Sequence, residues 1–433
     1  MRILSFTGGA GPMYCGSCLR DNALAAALLA RGHDVVLTPV YTPTRTDERN
    51  VSGPQVFFGG ISVFLEQQVP LFRHSPALLD RIWDAPWVIR LASRRQIKVD
   101  PKSLGEMTVS MLRGEDGFQA KEIAKLLEWL RGEPKFDVIN LPYALLLGLA
   151  EPLRRDLGAP VCCTLQGEDL FLDGLGVPYR EQSLGLIRAA SRHVDAFLPV
   201  SRYYLDYMPE YLGIPLEKMH LVPLGINMVG YSPRPPREST TFTIGYLARI
   251  APEKGLHVLA EAYRELRRKQ PQGRARLLSA GYLAPEHRPY LERVRKNLRE
   301  WGLEQEFEYR GEVDRAGKIA FLEQLDVFSV PATYDEPKGL FLIEALAAGV
   351  PVVQPRRGAF PEIVTNTGGG LIVDATPAAL AGGLLELWQD RHRAAALGAA
   401  GAAGVREHYE VGRMAEAAEQ VYRSLIGSSR GPC

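Results

Sequence analysis

Short apolar runs rich in β-branched residues alternate with amphipathic stretches along almost the whole chain, and no other feature constrains the fold as strongly. MRILSF, DVVLTPV, FDVINLP, PVCCTLQ, AFLPVS and MHLVPL come first. After the proline-rich polar stretch MVGYSPRPPREST at 228–240, the alternation resumes with TFTIGYL, ARLLSAG, EFEYRG, DVFSVP, VPVVQP and GLIVD. Strand-like runs separated by helical ones are the pattern of βαβ units, whose parallel sheets are covered on both faces. A single core stops growing at about 250 to 300 residues, and this chain has 433. Two α/β domains are therefore expected, 1–228 and 241–412, joined by a linker at 229–240. The stretch RMAEAAEQVYRSLIG at 413–427 reads as an amphipathic helix packing back on the first domain. Ligands of such sheets bind outside the carboxyl ends of the strands, so a cleft where the two domains face each other is the expected binding place.

With 46% hydrophobic and 23% charged residues and a formal net charge of +1, the composition is that of a globular protein. Charge gives no sign of a nucleic-acid partner. No apolar run approaches the roughly 20 residues that span a bilayer, and MRILSFTGG is too short for a signal-peptide core, so the cytoplasm is the expected compartment. Five cysteines, Cys15, Cys18, Cys162, Cys163 and Cys433, do not make a secreted disulfide framework, and no second CxxC or CxxH accompanies Cys15 and Cys18 to make a zinc site.

The loop TGGAGPMYCGSCLRDN at 7–22 allows three readings. As a dinucleotide fingerprint it fails, because Gly9-x-Gly11-x-x arrives at Tyr14 instead of a small residue. As a redox dithiol, Cys15-Gly16-Ser17-Cys18 lies suitably between strand and helix, yet a thioredoxin-like domain ends within about a hundred residues and this pattern runs on. The reading left is a glycine-rich loop in which Gly16 lets backbone come close to a phosphate or a sugar. Glu168 and Asp169 follow a strand at the end where sites form, and equally suit the capping of the next turn. His33, between the first helix and the second strand, lies at the far end of the sheet and reads as structural. Residues 64–98 depart from simple alternation: on a helix, Arg90, Arg94, Arg95 and Lys98 would share one face near Trp83 and Trp87. That composition suits an acceptor-side lid or an element lying on a membrane surface.

The densest chemistry lies at 334–355, YDEPKGLFLIEALAAGVPVVQP. Pro337 disfavours helix at Glu336, good helix formers follow Gly339, Gly349 is a C-terminal stop, and Pro351 opens a β-branched run. Glu336 thus sits on the loop before a helix, and Glu344 lies inside it. A helix N-terminus suits a phosphate or hydroxyl, and a carboxylate within the helix can accept hydrogen bonds from a vicinal diol such as ribose. Glu344 lies close to a buried strand, where an unpaired carboxylate is costly, so it should have a ligand or a partner. Upstream, GYLARIAPEKGLHVL places Arg249 after a strand and Lys254 at the mouth of the next helix, two cations able to clamp a diphosphate.

The glutamates in E-P-x-G-L-x-x-x-E, with LARIAPEKGL before them and GVPVVQPRRGAFPEIV after, make this chain resemble the retaining GT-B glycosyltransferases, and among them glycosyltransferase family 4. The likeness is strongest over 241–374, extends back through VSRYYLDYMPEYLGIPLEKMHLVPLGIN, and weakens before residue 200. It implies a GT-B fold, two Rossmann-like domains facing each other across a cleft, the first binding acceptor and the second a nucleotide-diphosphate sugar. Such an enzyme moves a hexose to an acceptor hydroxyl with retention, by front-face attack, with the nucleotide sugar as co-substrate and without a cofactor or a metal. No D-x-D motif is present.

Carried over residue by residue, the resemblance has Glu344 holding the ribose and Glu336 facing the transferred sugar. Arg249 and Lys254 neutralise the diphosphate, with backbone N–H groups of Gly339, Leu340, Phe341 and Leu342. Backbone around Gly311 and Val313 meets the base, and Gly16 approaches the phosphates or acceptor. Gln166 stands in TLQGEDLFLD where the family's T-x-H-G turn has histidine near the sugar, and PLGIN replaces the usual Asn-Gly-Ile/Val-Asp turn. A UDP-sugar is the first expectation for the donor, a GDP-sugar the second. A glycan, a lipid-linked sugar or a small molecule serves as acceptor, with peripheral membrane contact through 64–98. The same fold also admits a sugar-nucleotide epimerase, a glycosyl phosphorylase, or a sensor that binds without turnover.

Overall fold

The computed structural model describes residues 1–9, 13–58, 101–232 and 239–429. The expected lid or membrane element at 64–98, Gly11 of the first loop, and 233–238 of the linker lie outside the described residues. The chain divides into two compact units. One comprises Met1–Val200, Tyr204–Pro223 and Ala415–Cys433, and the other Ser201–Tyr203 and Leu224–Met414.

In the first unit β1 (Arg2–Thr7), β2 (Asp34–Pro39), β3 (Val138–Leu141), β4 (Val161–Leu165) and β5 (Ala196–Pro199) form one sheet in the order β2-β1-β3-β4-β5. Every ladder is parallel; Ile3, for example, pairs with Val35 on one side and Val138 on the other. All residues of β3, β4 and β5 are buried, which is why these strands read as continuous apolar runs. The strand order reverses between β1 and β3, and the helix Gly16–Ala30 follows directly from the β1 loop. The end of the helix Val411–Ser429 belongs to this unit too. Its Glu419 accepts from Arg31 Nε at 2.8 Å and lies 3.4 Å from His33 Nε2, while Tyr422 is buried. Bonds from Arg423, Arg31 and His33 outweigh desolvation and hold the Glu419 carboxyl at about 2. His33 thus has a packing role at the amino end of the sheet.

The second unit holds β6 (Thr241–Leu247), β7 (Arg274–Ala280), β8 (Phe307–Tyr309), β9 (Val327–Phe328), β10 (Val352–Pro355) and β11 (Gly370–Val373), again all parallel, in the order β11-β10-β9-β6-β7-β8. This is the doubly wound arrangement: the chain winds outward through β6, β7 and β8, then returns to β9 beside β6 and winds the other way. Helix Leu256–Lys269 buries Leu256, Leu259, Ala260, Tyr263 and Leu266, one stripe at helical spacing, and Trp388 of helix Pro377–Gln389 stacks on Phe242 with ring centroids 5.1 Å apart. The point of reversal between β6 and β9 is where such a sheet opens a crevice at the carboxyl ends of its strands.

Candidate functional site

At that reversal point the second unit brings together residues from both strand ends. After β6 the chain makes a 3-10 turn, Pro252–Lys254, and Gly255 adopts φ 75°. A side chain at Gly255 would collide with the Pro331 carbonyl, so only glycine lets this turn press against the loop after β9. Lys254 is thereby delivered to that loop. Its Nζ donates to the Tyr334 hydroxyl at 2.6 Å and to Glu336 Oε2, and the Tyr334 hydroxyl also donates to Glu336. The ammonium lies 4.9 Å from the Tyr334 ring centroid and 5.5 Å from that of Phe341, a partly aromatic cage around one cation.

Glu336 is 2% exposed. Burial pushes its carboxyl up, but Lys254 and Lys338 together with the bonds from Lys254 and Tyr334 prevail and hold it at about 2. It is a carboxylate throughout the neutral range and cannot serve as a proton donor there. The loop carrying it is pinned from the far side, with Ala359 N–H on the Glu336 carbonyl at 2.8 Å and Gly358 N–H on Asp335 Oδ1 at 3.1 Å.

Gly339, at φ 66°, opens the helix Leu340–Ala347; a Cβ there would lie 2.6 Å from Ile363 Cδ1. One of the four backbone donors expected at this end is engaged elsewhere, because Leu342 N–H bonds the Gly339 carbonyl at 2.9 Å and tightens the first turn. The first-turn N–H groups outside that bond are those of Gly339, Leu340 and Phe341. Arg249 is 39% exposed and paired with Glu253 four residues on, at 2.5 Å, while Lys254 meets Glu336.

Glu344, inside the helix and 8% exposed, has the partner that its burial demanded. Lys318 Nζ donates to Glu344 Oε1. Lys318 comes from the helix Arg315–Leu322, capped by Asp314, whose side chain accepts from Gly317 N–H at 2.8 Å. That cap directly follows the turn with Gly311, at φ 77°, and Val313. Sequence reasoning missed Lys318 and Tyr334. Lys318 had left a signal, since it occupies the apolar stripe of its helix with Phe321 and Leu322, an unlikely place for a cation without a carboxylate opposite.

In the first unit, Gly16 is the opening residue of helix Gly16–Ala30, with Cys15 as its N-cap. Gln166 is buried; its Nε2 donates to the Pro142 carbonyl at 2.8 Å and to Asp21 Oδ1 at 3.3 Å. Glu168 has the turn-capping contacts that were the alternative to a ligand role. Its carboxylate accepts N–H bonds from Ala144 at 2.9 Å, Gln166 at 2.7 Å and Gly167 at 2.8 Å, so it ties two loops together and is occupied by backbone. Asp169, 8% exposed, accepts from the Tyr204 hydroxyl, and burial raises its carboxyl. Asp21 is pushed up to about 6 by burial, against the lowering influence of Arg20 and of bonds from Gln166, Arg20 and Thr7.

Two parallel-sheet α/β units, the second with a cation-and-carboxylate cluster at its strand reversal, define a doubly wound binding protein. Comparison with known proteins identifies which. The family described as glycosyl transferase 4-like domain matches residues 21–225, and that described as glycosyl transferases group 1 matches 231–403. This chain belongs to the GT-B glycosyltransferases of the family 4 type, and it is an enzyme of that class. It is 32% identical to a putative colanic acid biosynthesis glycosyltransferase of Escherichia coli, over 42% of this chain and 44% of that protein, so the match spans less than half of that relative. It is 28% identical to the GDP-mannose-dependent alpha-(1-6)-phosphatidylinositol monomannoside mannosyltransferase of Mycolicibacterium smegmatis, over 64% of this chain and 74% of that one. Sucrose-phosphate synthase from Thermosynechococcus elongatus has the same fold, with a TM-score of 0.71 at 19% identity and 99% of both chains covered. Among the described residues no helix is long and apolar enough to cross a membrane.

Proposed function

We propose that this enzyme transfers a hexosyl group from a nucleotide-diphosphate sugar to an acceptor hydroxyl with retention at the anomeric carbon, without an obligatory metal. The second unit takes the donor and the first the acceptor. The observation that supports this most directly is the cluster of Lys254, Tyr334 and Glu336 at the reversal point of the second sheet, next to the N-terminus of helix Leu340–Ala347. Lys254 and the side chain of Arg249 face the diphosphate, assisted by the first-turn N–H groups of Gly339, Leu340 and Phe341. As the acceptor oxygen bonds to the anomeric carbon, the bond from that carbon to the diphosphate breaks. The acceptor proton passes to the departing phosphate oxygen, so no dedicated general base is needed. Lys254 stabilises the charge that accumulates on the diphosphate, and Glu336, held ionised, faces the sugar whose ring becomes electron-poor. Glu344 accepts from the ribose hydroxyls, and the Gly311 and Val313 backbone meets the base.

The test is calorimetry with UDP, GDP and ADP on the wild type, Glu344→Ala and Lys254→Ala. Both variants should bind the preferred nucleotide at least tenfold more weakly, and unchanged affinity in both refutes the assignment. Turnover is then followed with UDP-sugars and, since one relative is named for it, GDP-mannose. Release of free nucleotide with a glycosylated acceptor supports transfer, whereas an isomerised sugar or a phosphorolysis product would mean different chemistry on the same fold.

A further inference from the structure

Burying a lysine on the apolar stripe of a helix is costly unless a carboxylate answers it, and here the answer is one of the two glutamates of the nucleotide-sugar motif. The Lys318 side chain is 8% exposed and that of Glu344 11%, and the two are in direct hydrogen-bond contact. Building on the nucleotide-sugar reading above, we infer that Lys318 is a positioning residue that holds Glu344 ionised and oriented for the ribose diol, so that recognition of the ribose hydroxyls depends on a side chain that need not touch the nucleotide.

The chemistry runs through the acceptor count of a carboxylate. An ionised carboxylate only accepts, at about four lone-pair positions. The Lys318 bond uses one on Oε1, and the hydroxyls of a vicinal diol need two of the positions that an ionised carboxylate offers. A buried carboxyl without its cation favours the protonated form, which has fewer acceptor positions and a donor of its own facing the diol. The bond from Lys318 also fixes where the carboxylate points, because Lys318 sits on a helix anchored at its start by the Asp314 cap. That helix begins directly after the Gly311 and Val313 turn. One short element therefore carries both the backbone proposed to meet the base and the cation that orients the residue proposed to meet the ribose.

The test compares UDP, GDP and ADP with their 2′-deoxy counterparts by calorimetry, using the base that the wild type binds best. Wild type should bind the 2′-deoxy form at least fivefold more weakly. In Lys318→Met that ratio should fall below twofold near pH 6 and recover towards the wild-type value near pH 8.5, as the orphaned carboxylate regains its charge. Lys318→Arg, which keeps the cation, should restore most of the discrimination at both pH values. A ratio in Lys318→Met equal to wild type at both pH values overturns the inference. Should that variant fail to fold, Lys318→Gln retains a donor to Glu344 without the charge, and a wild-type ratio in it is equally fatal. The underlying reading fails separately: if wild type binds no nucleotide, or binds ribose and 2′-deoxyribose forms alike with Glu344→Gln unchanged, then Glu344 is not a ribose contact and the inference falls with it.

Discussion

Glu336 offers a quantitative check on the electrostatics of the site, through Glu336→Gln. In the folded protein its carboxyl is held at about 2, against an ordinary value of 4.5. A carboxyl that binds its proton more weakly when folded contributes stability above the unfolded value, and loses it as the pH falls through 4.5 towards 2. The full contribution at neutral pH is about 3 kcal/mol, from about 1.4 kcal/mol per pH unit of displacement. Roughly 1 kcal/mol of it has gone by pH 4, equivalent to about a fivefold rise in the population of the locally open form. Glutamine keeps the shape and cannot titrate. Hydrogen exchange of peptides covering helix Leu340–Ala347, read by mass spectrometry for wild type and variant at the same pH, cancels the intrinsic pH dependence of exchange. At pH 7 the variant should exchange much faster than wild type, and at pH 4 the gap should narrow about fivefold. A gap that stays constant or widens between pH 7 and pH 4 would refute the claim that Lys254 and its neighbours keep this buried carboxyl ionised.

Gly339→Ala forces a side chain onto a left-handed backbone and against Ile363, and should cost about 1–2 kcal/mol in unfolding of the second unit from the backbone alone, measured by urea titration. Asp21, pushed up to about 6 from an ordinary 3.8, binds its proton more tightly when folded. Its contribution therefore falls as pH rises from about 4 through 6, and the pH dependence of exchange in helix Gly16–Ala30 should flatten in that window in Asp21→Asn. Cys15 is partly exposed and Cys18 buried, so a thiol alkylating agent should modify Cys15 first. If oxidation to a Cys15–Cys18 disulfide leaves transferase activity untouched, the first loop is remote from the chemistry.

The order of strands and helices was legible because it rests on local rules. A strand buried on both faces has to be apolar throughout, as β3, β4 and β5 are, and proline and glycine punctuate helices wherever they stand, as Pro337, Gly339 and Gly349 do around Leu340–Ala347. The two glutamates and Lys254 were legible for a related reason: their spacing around a strand-to-helix turn specifies which end of the sheet they occupy. Partnership was not legible, since an ion pair depends on which side chains the tertiary fold brings within a few ångströms and leaves no trace in spacing. Arg249 and Lys254, five residues apart, part company, one to Glu253 and the other to Glu336, because Gly255 turns the chain sharply between loop and helix. Glu168, which the sequence left between a ligand and a turn cap, accepts from three backbone N–H groups, one of them 24 residues away. Lys318 became meaningful only when the winding of the second sheet set its helix opposite Glu344. The sequence by itself determined the elements, their order and the end of the sheet at which these charged residues stand; the tertiary structure alone decided which charges face one another, because burial and distance set how strongly two charges interact.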